Sequence, residues 1–207
     1  MTSERSPFLA DVLKERSSVR SFSAEPVNPD LVRQAIEAAG WAPSPHGTQP
    51  WKFAEVLAEA RRRALAETMS DTWRQQLRLD GDDESVISRR LALSRQRLEV
   101  PPVVVVLCLD LSRAHTYPDV ARQEAEYLMA VQSLGAAAQN FLLAIHATGL
   151  DAGWMCAPLF CADAVREELG LAAHLEPHAM FPVGKMAKPP KRRPRMPIED
   201  LIEIWLD

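Results

Sequence analysis

The stretch Val103-Val104-Val105-Val106-Leu107-Cys108-Leu109, set off by Pro101-Pro102, decides the fold. It contains no charged residue, and β-branched side chains fill its first half, so it reads as a buried strand. Downstream, residues 119–148 read as one long helix whose middle, residues 134–145, is nearly all apolar. Such a helix is buried on most sides, and it predicts a second subunit to cover it. Toward the N-terminus, residues 8–15 form a short helix with Phe8, Leu9, Val12 and Leu13 on one face. Asp30 opens the next helix, Leu31, Ala35, Ile36 and Ala39 recur at helical spacing, and Gly40 stops it. Residues 51–57 read as a strand, and two helices, 58–78 and 85–98, flank the turn Asp80-Gly81-Asp82-Asp83. Beyond the long helix come a strand at 150–156, a helix at 162–169 capped by Gly170, and a strand at 179–183. A basic, proline-rich loop at 185–197 leads to a last element at 198–206. Strands alternate with helices too rarely for a doubly wound parallel fold. The expectation is an α+β fold, a small mixed sheet flanked by helices, in a single domain spanning residues 1–207 with no internal repeat.

Composition narrows the function. The 207 residues are 47% hydrophobic, enough for a full core, and the net charge of −4 argues against a general nucleic-acid binder. Cys108, Cys156 and Cys161 form an odd set without a CxxC pair, a pattern of reduced thiols rather than of a disulfide framework. The five histidines are scattered singly, so no metal site is expected. The charged N-terminus is unlike a secretory signal, and the longest purely apolar run is far short of the ~20 residues of a membrane helix. A cytoplasmic protein, with no membrane or nucleic-acid partner, is the expectation.

Phosphate-binding glycine motifs are missing: neither GxxxxGK[ST] nor a GxGxxG after a strand occurs, and GxSxG and HExxH are absent too. A phosphate-bearing cofactor therefore has to be held by side chains, and arginine's planar fork suits that work. Two clusters supply it: Arg16-Ser17-Ser18-Val19-Arg20, and Lys191-Arg192-Arg193-Pro194-Arg195. Each reads either as a solvated surface or as half of a site for one phosphomonoester. The loop Ala42-Pro43-Ser44-Pro45-His46-Gly47-Thr48-Gln49-Pro50-Trp51 reads either as a stiff turn anchored by Trp51 or as a rim beside a flat ring, with Gln49 bonding the ring edge.

Taken together these residues resemble the nitroreductase-like flavoprotein superfamily. The anchors are Arg16-Ser17-Ser18-Val19-Arg20-Ser21-Phe22, Pro26-Val27, Ala42-Pro43-Ser44, Gln49-Pro50-Trp51 and Arg193-Pro194-Arg195-Met196-Pro197-Ile198, in family order along the chain. The resemblance implies an intertwined homodimer with FMN in two sites at the interface. It implies that Arg16, Ser17, Ser18 and Arg20, joined by Arg193 and Arg195, hold the phosphate and ribityl chain. Pro43, Ser44 and Gly47 would come from the other subunit. Gly153-Trp154-Met155-Cys156-Ala157-Pro158 matches the segment that faces flavin N5, where many relatives carry a hydroxyl or carboxylate. Here Met155, Cys156 and Ala157 stand there, which leaves the role to a backbone N–H.

A narrower resemblance rests on Pro43-Ser44-Pro45-His46-Gly47-Thr48, Asp71-Thr72-Trp73-Arg74 and the run from His115-Thr116-Tyr117-Pro118-Asp119 to Arg122-Gln123-Glu124-Ala125-Glu126. These look like the C-terminal flavin domain of the bifunctional coenzyme F-420 gamma-glutamyl ligase. That likeness implies reduction of a dehydro deazaflavin precursor, with His46, Trp73, Tyr117 and Arg122 as substrate contacts and a separate ligase as a possible partner. The bland alternatives are a packed Trp73, an exposed His115, a helix-opening Tyr117, an Arg122–Glu126 surface ion pair and a buried Cys156. Three functions stay open: a reductase of deazaflavin precursors or similar conjugated acceptors, a broad NAD(P)H-dependent nitro or quinone reductase, and a flavin-binding module without turnover. No side chain in the expected site is an obvious general acid.

Overall fold

The computed structural model describes residues 8–204. Its centre is the strand Val103–Asp110, buried along its whole length. Val103, Val105, Leu107 and Leu109 face one apolar layer, and Val104, Val106 and Cys108 face another. A strand with a core on each side needs apolar residues at both parities, which is why its sequence shows no alternation. With its neighbours it forms a four-stranded sheet: β1 (Trp51–Val56), β2 (Val103–Asp110), β3 (Asp151–Ala152) and β4 (Leu175–Gly184), in the order β1-β2-β4-β3.

Among the described residues every pairing in this sheet is antiparallel, which corrects the expectation of a mixed sheet. Two strand boundaries differ as well. β4 is twice the predicted length: it takes in residues 175–178, with Pro177, before the expected start and Gly184 after the expected end. The ladder absorbs Pro177 at a bulge: Leu107 pairs with Ala179 and Cys108 with Pro177, leaving His178 as the extra residue. β3, expected over 150–156, pairs for two residues only, and the chain rejoins β4 at a single Met155–Met180 bridge.

The helices are α1 (Phe8–Glu15), α2 (Pro29–Ala39), α3 (Glu59–Leu79), α4 (Glu84–Glu99), α5 (Val120–Ala147) and α6 (Ala162–Leu169). Asp30 stands in the first turn of α2, as expected, and the helix is capped by Asn28, whose side chain accepts from the Asp30 N–H. Pro29 fills the first helical position, where an N–H is not needed. α5 is capped by Asp119, whose carboxylate accepts from the Arg122 N–H at 3.0 Å. Its apolar middle does not wait for a second subunit on every side. Leu134, Ala137, Ala138, Phe141, Leu142 and Ile145 pack with α2 and the sheet of their own chain. By length and composition α5 could cross a membrane, yet 44% of its most apolar window is buried within the protein.

On the opposite face of the sheet, α6 and the base of α3 pack on Val104, Val106 and Met180. α3 and α4 form a hairpin whose far end has its own small core of Leu77, Ile87 and Leu91, with Trp73 against it. Gly81, at φ 81°, makes the turn between them. The last element is a 3-10 turn at Ile198–Asp200, shorter than expected, and the end of that expected element lies outside the described residues.

Candidate functional site

Residues 16–23 lie along the β3 edge of the sheet. The Val19 N–H donates to the Ala152 carbonyl at 3.1 Å, the Ser23 N–H to Lys185 at 2.9 Å, and the Ala187 N–H to Ser21 at 2.9 Å. Val19 and Phe22 are buried, so the residues between and beside them turn outward. The approach is close: a Cβ on Gly153 would come within 2.4 Å of the Val19 carbonyl oxygen. Only a glycine lets the two backbones meet here.

At the head of this segment Arg16 is half-buried, and its Nε and Nη1 are buried without a hydrogen-bond partner among the described residues. Burial lowers its pKa, and the neighbouring Arg195 lowers it further. The C-terminal tail brings Arg195 there because Arg192 is tied down: it donates to the Lys14 carbonyl at 3.0 Å and to that of Glu15. Arg192 was not singled out beyond its cluster, yet it caps the end of α1. Arg193 and Arg195 themselves are exposed.

Farther along, Ser18 and Arg20 line a cavity of about 170 Å³ with Gly153, Trp154, Met155 and Arg97. Arg97, from α4, went unrecognised in the sequence. The clue was slight: residues 93 and 94, its helical neighbours at four and three positions, are Leu and Ser, so no acidic residue precedes it at ion-pair spacing. Burial lowers the Arg97 pKa, and Arg20 lowers it further. Four cations, Arg16 with Arg195 and Arg20 with Arg97, thus stand in like-charged pairs around one edge of the sheet. Unpaired, half-buried guanidinium groups are costly, and a bound anion relieves them.

Met155, Cys156 and Ala157 continue from this edge. The Cys156 and Ala157 N–H groups make no backbone hydrogen bond to the described residues. Cys156 is exposed rather than buried as expected, because β3 has already ended. Its thiol accepts from the Trp154 indole at 3.1 Å. The other thiols differ: burial pushes buried Cys108 up to about 12 and half-buried Cys161 up to about 11.

The proline-rich loop lies elsewhere. Pro45–Gly47 form a 3-10 turn, with the Gln49 N–H bonded to the Ser44 hydroxyl at 3.0 Å and the Thr48 hydroxyl to the Pro45 carbonyl at 3.0 Å. His46 and Gln49 both hold positive φ, 56° and 49°, an unusual state for side chains other than glycine. Pro43 is exposed, Ser44 half-buried, and Trp51 sits in the core. The His46 ring stacks on His115 at 4.2 Å, Tyr117 lies beside His115 at 6.4 Å, and the Arg122 guanidinium covers Tyr117 at 5.3 Å. Arg122 pairs with Asp119, not with Glu126, whose buried carboxylate instead accepts from the His115 N–H at 3.1 Å. Three of the four expected substrate contacts are therefore gathered in one array. Trp73 is not among them, because it belongs to the α3–α4 hairpin, where it lines a separate cleft of about 540 Å³.

The array and the arginine edge occupy opposite corners of the sheet. Trp51 pairs with Leu109 at one end of β2, whereas Ala152 reaches the other end through Val183 and Val103. Three strand spacings across and six residues along place the corners roughly 25 Å apart.

Residues 13–185 match the model of the nitroreductase family. Over 92% of each chain the protein is 27% identical to an NADH dehydrogenase of Thermus thermophilus. It is 40% identical to the nitrobenzene nitroreductase of Ectopseudomonas oleovorans over 58 residues, 28% of this chain and 26% of that one. Its fold is similar to that of a BluB-like flavoprotein from Clostridium difficile, with a TM-score of 0.78, 22% identity, and 96% and 99% of the two chains covered.

Proposed function

The chain belongs to the nitroreductase family, and from that premise we propose that it is an FMN-dependent oxidoreductase taking electrons from NAD(P)H and reducing planar conjugated acceptors. The observation that carries this reading is Arg16, with two buried nitrogens lacking partners among the described residues and Arg195 as a like-charged neighbour. That pair fits a dianionic phosphate, which supplies the missing acceptors and the opposite charge. Arg16, Ser17 and Ser18, with Arg193 and Arg195, would hold the phosphate end of FMN. Arg20 would lie farther along, toward the ring. FMN supplies the hydride chemistry when bound. The residues of the chain bind it, orient it and exclude water. The free N–H groups of Cys156 and Ala157 provide donors at the segment matched to the N5 edge, and no side chain there is needed as a general acid.

A homodimer completes the site in this reading. The corners are too far apart to meet within one chain, so Pro43, Ser44, Gly47 and Gln49 would reach the flavin from the second subunit. Antiparallel pairing of two copies about a two-fold axis would bring unlike corners together twice.

The names of the curated relatives, a nitrobenzene nitroreductase and an NADH dehydrogenase, favour a broad NAD(P)H-dependent reductase over a specialised one. Reduction of a dehydro deazaflavin precursor is the second reading. It is favoured by the array of His46, His115, Tyr117 and Arg122, a stacked surface suited to a flat ring. The test is the visible spectrum of the purified protein, release of the flavin, and NADH and NADPH oxidation with nitrobenzene as acceptor. Released FMN and acceptor-dependent oxidation are expected. A protein that neither contains nor takes up FMN would overturn the reading. Spectral perturbation by the deazaflavin coenzyme at micromolar concentration, with slow nitrobenzene turnover, would select the second reading.

A further inference from the structure

A cleft of about 540 Å³ lies between the α3–α4 hairpin and the 3-10 turn Ala157–Phe160. At its inner end it shares Arg97 and Met155 with the cavity of Ser18 and Arg20, and those two residues stay with the cofactor. The rest of the cleft has no part in the phosphate site. α3 lines it with Met69, Thr72, Trp73, Gln76 and Asp80, one face of the helix along most of its length. Met69 also packs in the core with Val106 and Met180, so it marks the inner end. Trp73 stands one helical turn farther out, about 6 Å along the axis.

Trp73 is held from behind by Leu77, Ile87 and Leu91. Its ring is fixed before a ligand arrives, so little side-chain entropy is lost on binding. The Gln76 amide donates to the Phe160 carbonyl at 3.1 Å, which ties the turn to the hairpin and sets the width of the cleft. One exposed aromatic side chain is ordinary, but Phe160, 72% exposed, lines the same space as Trp73. Two aromatic side chains around one preformed apolar space suit a flat ring, stacked or edge-on.

Size decides which ring. An apolar cavity of about 150 Å³ is enough for benzene, and this cleft is several times larger. A single ring whose reducible group lies beside residues 155–157 leaves the space at Trp73 unfilled, whereas fused rings reach it. We infer that this cleft seats the acceptor and that Trp73 makes the protein prefer acceptors with fused rings over those with a single ring. The inference rests on the proposed oxidoreductase function and names the substrate class within it. Thr72 and Ser94 offer hydroxyls to substituents on the ring.

The experiment uses FMN-loaded protein and two pairs of ligands. Nitrobenzene and 2-nitronaphthalene are the acceptors; the first reduction of each consumes one NAD(P)H and one proton and gives the nitroso compound, NAD(P)+ and water. Phenol and 2-naphthol, which are not reduced, report binding through the flavin spectrum. The wild type should bind 2-naphthol at least about tenfold tighter than phenol, and W73A should lose most of that difference with the aromatic contact and its buried area. The ratio of kcat/KM for 2-nitronaphthalene over nitrobenzene should fall with it, through KM. W73F should keep most of the preference and W73L little of it, and these two carry the comparison if W73A does not fold. F160A should lower the same ratio from the other wall. FMN content should be the same in all four variants, since neither residue lines the cavity of Ser18 and Arg20. A wild type that binds both phenols alike, or equal losses for single and fused rings, would overturn the inference. So would W73L indistinguishable from W73F, which makes Trp73 a packing residue of the hairpin. Loss of FMN from W73F or F160A would also overturn it, by assigning those side chains to the cofactor. A wild-type protein free of flavin would instead remove the functional reading beneath it.

Discussion

The two corners of the sheet are built on opposite principles. At the ring corner, most polar groups find partners within the chain: Ser44 accepts from Gln49, Thr48 bonds Pro45, and Glu126 and Gln123 take the His115 and Tyr117 N–H groups, although Glu126 Oε2 is buried without a partner among the described residues. Its cost lies in the backbone, with His46 and Gln49 at positive φ. At the arginine corner, the backbone is in good order, stitched to β3 and to residues 185–187. Its cost lies in the side chains, where Nε and Nη1 of Arg16 are left without partners among the described residues and Arg20 faces Arg97. Strain in the main chain fixes a shape. Unpaired charge instead stores affinity that an anion releases, so the two corners predict different responses to mutation and to ligand.

Arg16→Ala probes the contrast most directly. FMN affinity should fall by about 1.5–3 kcal/mol, roughly 10- to 150-fold, as a charge-assisted contact is lost. Riboflavin, which lacks the phosphate, should bind equally well to both proteins, and the unliganded variant should resist urea at least as well as the wild type. A variant that is destabilised without FMN, yet binds it normally, would make Arg16 a structural residue. Gly153→Ala tests the stitching, because its Cβ has to displace the Val19 carbonyl. Overpacking of this kind costs about 1–3 kcal/mol, visible as a lower urea midpoint, and FMN binding should weaken with it.

Gln49→Gly probes the ring corner. Glycine relieves the positive φ, and since ordering glycine has its own cost, a gain of up to about 1 kcal/mol in stability is expected. A loss larger than that would mean that the Gln49 side chain, exposed in the single chain, is engaged in the folded assembly. The smallest effect concerns thiol reactivity. Iodoacetamide at pH 8 should modify exposed Cys156 well before Cys108, whose buried thiol is pushed up to about 12. FMN should slow the Cys156 reaction several-fold. Undiminished reaction in the FMN-loaded protein would move the ring away from residues 155–157.

Much of this was legible one segment at a time. The apolar run of β2 and the period of α5 each report a local environment, and the bounds of α1 and α6 follow from local helix signals. The two arginine clusters were visible because a chain without glycine-rich phosphate loops has few other ways to bind a phosphate. Less legible were the features created by contact between segments. Pro177 can stand inside β4 because the ladder bulges beside it, and Met155 rejoins β4 next to the close approach of Gly153 to Val19. The membership of Trp73 in the hairpin cleft, rather than in the array of His46, Tyr117 and Arg122, depends on where α3 and α4 lie against the body.

The sequence by itself determined the α+β class, the two arginine clusters proposed to hold a phosphate and the absence of glycine-based nucleotide motifs, because each depends on residues near one another in the chain. Tertiary structure alone decided the antiparallel sheet, the separation of the two corners and the facing of Arg20 by Arg97. Residues 20 and 97 lie on a loop and a helix separated by α2, β1 and α3, and no periodicity reports such an approach. Only packing both layers against β2 brings those charges to one cavity, and the electrostatic cost of that meeting is what marks it as a place for an anion.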